Sequence, residues 1–200
     1  MARDEAPPFA RGETFYNGVT KESIFTDPLN YLGKEYVFEV NSQDSTQGYP
    51  TSNDTSGRLI RVRVVQNVSG QALLPKRVAR YKKTAPVKTQ VDGYVFQVSD
   101  LVAGVIDEFL PAAGVANGDL FYLVVEGPTI AKSAVAGSVA FAIGDKLYAL
   151  AGTSTLNADA GAVAEYTTPL LAELLQNVGV VDAAVTTNAA DVAITAKILV

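Results

Sequence analysis

The chain offers few groups able to do chemistry. It contains no His and no Cys. Imidazole is the usual general base near neutral pH and the commonest metal ligand, so Ser-His-Asp triads, Cys-His dyads and His-ligated zinc are excluded. The missing thiols exclude disulfides and thiolate metal sites as well. Any catalysis would have to run on carboxylates, Lys, Tyr or an all-oxygen metal site. Asp107-Glu108 is the best acid pair. Neighbours in a strand point to opposite faces, which argues against a shared catalytic centre there. Asp119 and Asp145 each follow a glycine. They have the oxygen ligands that calcium takes, but Asp after Gly is ordinary turn chemistry. Neither a Gly-rich phosphate loop nor an EF-hand spacing is present. The expectation is a protein that is not an enzyme, with no catalytic residue, no cofactor and no metal.

What remains is binding chemistry, and it is unevenly distributed. Nine of the 16 basic residues lie between Arg58 and Lys88, and that stretch has no acid. The other seven basic residues share the rest of the chain with all 21 acids, a net of −14. Arg58, Arg61, Arg63, Lys76, Arg77, Arg80, Lys82 and Lys83 could form a solvated sheet face, meet an acidic partner or contact nucleic acid. The overall acidity and the lack of a nucleic-acid motif disfavour the last. The first 40 residues hold seven of the 17 aromatics: Phe9, Phe15, Tyr16, Phe25, Tyr31, Tyr36 and Phe38. No period of 2 or 3.6 is sustained before Tyr36, so this segment reads as an extended arm. Phe9, Phe15, Tyr16, Phe25 and Tyr31 are its candidate partner anchors, because aromatics bury large area for few lost rotamers.

The elements that would position these groups are strands. Hydrophobic residues make up 48% of the chain, charged residues only 18%, and the second half is rich in Ala, Val, Gly and Thr. Residues 1–57 read as arm plus polar linker and residues 58–200 as a β-rich domain, with a basic strand region over 58–100 and an Ala/Val-rich β region over 101–200. Leu59–Val65 alternates, with Ile60, Val62 and Val64 on one face and Arg61 and Arg63 on the other. A hairpin-edge strand is expected over 91–98 and a last strand over 192–200, its apolar character calling for a partner strand or another subunit. Gly118-Asp119-Leu120-Phe121-Tyr122 echoes Gly144-Asp145-Lys146-Leu147-Tyr148, as if two equivalent strands each followed a Gly-Asp turn. One short helix is expected over 168–177, capped by Thr168, with Pro169 in its first turn and Gly179 beyond its end. The fold class is mainly β, a sandwich or barrel-like domain with that helix and an extended N-terminal arm. No apolar run approaches the roughly 20 residues of a membrane span, and the N-terminus lacks the apolar stretch of a signal peptide. A soluble protein made in the cytoplasm of its producer is expected.

Several stretches resemble the capsid decoration (cement, head-stabilising) proteins of tailed bacteriophages. They are Arg61–Arg77, Gly104–Pro111, Asn117–Pro128 and the ending from Val178 to Val200, so the likeness covers roughly residues 58–200. The resemblance implies a structural virion protein on the outer surface of an icosahedral capsid, made in the host cytoplasm and bridging capsomers. It implies a homotrimer with the major capsid protein as partner, and neither membrane nor direct nucleic-acid binding. The expected alternative is a carbohydrate- or receptor-binding module of a phage tail or cell surface, although the chain has no Trp to stack on sugars. Deleting residues 1–40 is expected to leave a folded domain that no longer binds shells.

Overall fold

The structure is a computed structural model describing residues 7–9, 11–15, 31–39, 59–84, 88–95, 100–132, 141–149, 163–165, 177–182 and 191–198. Ten strands follow in chain order: β1 (Glu35–Glu39), β2 (Leu59–Asn67), β3 (Val78–Tyr81), β4 (Gln90–Tyr94), β5 (Val102–Ile106), β6 (Leu120–Lys132), β7 (Lys146–Ala149), β8 (Val163–Glu165), β9 (Asn177–Val181) and β10 (Asp191–Lys197). The protein is mainly β.

Five of these strands close on themselves. β2 pairs with β4 in parallel, and β4–β3, β3–β5, β5–β6 and β6–β2 are antiparallel. The result is a small closed barrel. So narrow a barrel has room only for side chains. Its interior is filled by Val65, Ala79, Tyr81, Val91, Ala103, Phe121 and Leu123, with Leu73, Leu110 and Val115 beside them.

A second core lies on the other face of the same strands. Ile60, Val62 and Val64 of β2 and Leu120, Tyr122 and Val124 of β6 join Leu147, Val178, Val181, Val192, Ile194 and Ala196 of the remaining strands. β2 and β6 therefore bury both faces, which explains why both read as nearly continuous apolar runs. β6 carries the connection. Its first half pairs with β2 and β5, and from Glu126 to Lys132 it pairs with β10, which continues to β9, β7 and β8.

The departure point is built into the sequence. The β2–β6 register slips between Arg61 and Val62, and Gly127 has φ +102°. A Cβ there would lie 3.0 Å from Ile60 Cα and closer still to the Leu59 carbonyl. Only glycine fits both that backbone and that approach.

The Gly-Asp echo is structural. Gly118 N–H donates to the Asn67 carbonyl and Asn67 N–H to the Asp119 carbonyl; Gly144 N–H donates to the Val181 carbonyl and Val181 N–H to the Asp145 carbonyl. Asp119 and Asp145 each close the turn by donating to the carbonyl three residues back, at 3.2 Å. The same turn thus launches β6 beside β2 and β7 beside β9.

Three expectations change. β4 has partners on both sides, β2 and β3, so it is no edge strand; residues 96–99 of the expected span lie outside the described residues. Residues 168–176 of the expected helix also lie outside them, and Asn177 begins β9. β10 finds its partner strands within the chain, between β6 and β9.

Candidate functional site

The acid pair does not lie in a strand. Asp107 and Glu108 follow β5 in a turn, so their carboxylates converge. Both are buried, and what they meet is the N-terminal segment. Arg11 Nη2 lies 2.7 Å from Asp107 Oδ1 and 3.5 Å from Glu108 Oε2, and Arg11 Nε donates to Asp107 Oδ2 at 3.3 Å. Gly12 N–H donates to Asp107 Oδ2 at 3.2 Å. Glu108 also accepts from the Thr129 hydroxyl and, at 3.4 Å, from the Ile130 amide. The Arg11 guanidinium lies over the Phe109 ring, 4.5 Å from its centroid. Gly12 has φ +82°, and a Cβ there would lie 2.8 Å from the Phe109 carbonyl oxygen. Burial pushes the Asp107 carboxyl above its ordinary value; Arg11 opposes this and Glu108 adds to it.

The aromatics of the segment gather on one ring of the domain. Phe9 stacks on Tyr122 at 4.2 Å between centroids, and Phe15 stacks on Phe9 at 5.9 Å. Tyr36 and Phe38 of β1 meet Tyr122 edge-on at 6.3 and 5.5 Å. Tyr122 hydroxyl donates to the Phe9 carbonyl at 2.9 Å, and Phe15 forms a two-way backbone bridge with Leu120. Phe9 is buried; Phe15 and Tyr31 are half-buried against the second core. Burial pushes the Tyr122 hydroxyl well above the usual tyrosine range.

These facts revise the expected arm. Phe9, Phe15 and Tyr31 are packed on their own domain, and Glu35–Glu39 belongs to the sheet. Residues 7–15 and 31–39 contribute to the core, so deleting residues 1–40 would open it rather than leave a folded remainder. Tyr16 and Phe25 lie outside the described residues.

The basic stretch is likewise met from within. Arg61 pairs with Glu126 at 2.6 Å and reaches Glu35 at 3.6 Å. Arg63, buried at the barrel end, donates to Glu35 and to the Tyr81 hydroxyl. Lys76 pairs with Asp191 at 2.6 Å. Arg80 bridges Asp92 and Asp100 at 2.8 and 3.0 Å, and Lys83 reaches Asp100 at 2.8 Å. Lys82 donates to Gln90, and buried Arg77 lies over the Tyr94 ring. Arg58 is outside the described residues. The segregation of charge along the sequence is largely undone by the fold, because acids from distant strands come to each cation. Pairing across a sheet leaves no local signal in a linear charge count.

The surface also carries groups that sequence reading passed over. Val37 and Leu59 are exposed near one another at the β1–β2 edge, and Ile143 protrudes from the second Gly-Asp turn. Glu35 and Glu39 flank Val37 on that edge strand. Among the described residues no group of three or more Asp and Glu could hold a metal ion.

The class that the fold defines is a small closed β-barrel whose longest strand runs on into a second pairing layer, with an N-terminal segment bolted across it. No protein-family model matches the chain, and no curated protein matches it. Among solved structures, it is similar to the crystal structure of the head fiber gp8.5 N base in bacteriophage phi29, with TM-score 0.41 and 13% identity over 69% of this chain and 94% of that one. An overlap that loose transfers no residue, partner or role.

Proposed function

We propose that this chain is a non-enzymatic structural protein of a tailed-phage virion that binds the outside of the capsid and stabilises contacts between capsomers. The carrying observation is the fate of Asp107-Glu108. The acid pair best suited to chemistry is sealed by Arg11, Gly12 and Thr129. A pair so committed builds a stiff body, and what a stiff body offers a partner is surface. The resemblance of residues 58–200 to decoration proteins supplies the shell as partner, the major capsid protein as its contact and the homotrimer as the working form.

In this proposal the contact surface differs from the one the sequence suggests. Phe9 is committed to the domain's own core, and Arg63, Arg77 and Arg80 to its own acids and rings. The half-exposed Arg61, the exposed Lys82 and Lys83, and the apolar Val37, Leu59 and Ile143 remain for a partner. Charged groups on such a rim set orientation and on-rate more than affinity.

Co-sedimentation with capsid shells of a phage encoding the chain tests the proposal. Saturable binding to shells, with a raised shell melting temperature, is expected. Protein that stays in the supernatant at micromolar shell concentration overturns it.

A further inference from the structure

The N-terminal segment is held by contacts that do not depend on its being part of the same chain. Its polar contacts reach residues 95 to 113 positions away: Gly12 on Asp107, Arg11 on Asp107 and the Phe9 carbonyl on Tyr122. The acceptor is a preformed socket, with an aromatic floor of Tyr122, Tyr36 and Phe38, a cation-binding corner of Asp107 and Glu108, and the Phe109 ring above the guanidinium. It reads two side chains spaced two apart, Phe9 and Arg11. An empty socket is costly, because both carboxylates have side chains no more than 2% exposed and would be left without their arginine. Every copy therefore needs one segment seated, whichever copy supplies it.

Reach does not decide the supplier either. Fifteen residues separate Phe15 from Tyr31. Extended at about 3.3 Å per residue they span about 50 Å, against a radius of gyration of about 16 Å for a 200-residue domain. In an isolated chain the tether favours the chain's own segment. In an oligomer a neighbour's segment stands at a comparable local concentration, on the order of millimolar. Exchange then keeps every contact and adds a tie between subunits.

We propose that in the assembled oligomer the Tyr122–Asp107–Glu108 socket takes Phe9 and Arg11 from a second copy of this chain, so that exchanged segments lace the subunits together. This deepens the proposed function and rests on its oligomer.

The chain has no cysteine, so disulfide trapping has no background. Phe15 and Leu120 are bridged partners. Chains carrying Phe15→Cys and chains carrying Leu120→Cys are refolded together as full-length protein and oxidised, with the doubly substituted chain as geometry control. A disulfide-linked dimer of one chain of each kind is the expected product. A control that closes while the mixture stays monomeric on a denaturing gel overturns the proposal. Should the Leu120→Cys chain not fold, a charge exchange decides. Arg11→Asp and Asp107→Arg chains each juxtapose like charges with their own segments, whereas a mixed oligomer restores opposite charges in both sockets. Co-refolding is expected to give a mixed species melting well above either variant, and melting no higher than the separate variants overturns the proposal. Both readouts are independent of shell binding, so trapped dimers that ignore shells would sink the shell assignment and leave the exchange standing.

Discussion

Arg11 and Arg61 make nearly the same bond. Arg11 lies 2.7 Å from Asp107, and Arg61 lies 2.6 Å from Glu126. Their surroundings differ. The Arg11 pair has side-chain exposures of 12% and 1%, and the Arg61 pair 42% and 52%. Water screens the second pair and competes for both partners, so the bond contributes little. At the first, desolvation has already been imposed on Asp107 and Glu108, and losing the cation leaves two buried carboxylates facing each other. Distance alone does not rank these contacts; burial does.

The largest way to break that comparison is to remove the socket's cation. Arg11→Ala should lower unfolding free energy by about 3–5 kcal/mol in urea titrations, the range for stripping one partner from a buried ion pair. Adding Asp107→Asn to that variant should restore part of the loss. A loss below about 1 kcal/mol would place the Arg11 pair in the same class as the Arg61 pair. Phe9→Ala should cost a similar amount, about 3–5 kcal/mol, through the cavity beside Tyr122. Circular dichroism should report a drop in melting temperature with the β signal kept.

A pH titration sharpens the contrast between buried and exposed groups. Burial raises the hydroxyls of Tyr81, Tyr94 and Tyr122 above their ordinary value. The unfolded chain therefore releases these protons first, so the associated stability is complete below about pH 10 and is lost as pH climbs beyond it. Tyrosinate absorbance followed together with near-ultraviolet circular dichroism should show these three among the nine tyrosines ionising only as the structure melts. Smooth ionisation of all nine before unfolding would contradict the burial. The smallest effect is expected at the rim. Arg61→Ala should cost about 0–1 kcal/mol, and less as salt is raised. A cost equal to that of Arg11→Ala would show that exposure is not what separates the two.

Much of the scaffold was legible beforehand. The alternation of Ile60, Val62 and Val64 against Arg61 and Arg63 recurs in the faces of β2, and the Gly-Asp echo recurs as two matching turns. Both are local, written by the two-residue period of a strand and by the backbone freedom of glycine. The candidate site was much less legible. Seven aromatics without a period looked like a loose arm, because nothing near Phe9 in sequence says that Tyr122 will lie beneath it. Asp107 and Glu108 looked divergent because a strand was assumed where the chain turns. Nine cations without an acid looked like a face for a partner, and acids from β1, β4, β6 and β10 and from the turn before β5 came to meet them.

The sequence by itself determined that this is a β protein without imidazole or thiol chemistry, with strand faces and tight turns in identifiable places, since those properties depend on composition and on neighbours two to four residues apart. Only the tertiary structure decided that the barrel closes, that β6 leaves it at Gly127 and that Arg11 ends on Asp107. Those outcomes depend on pairings between residues tens of positions apart, whose energies arise when burial removes water, and no linear pattern carries that information.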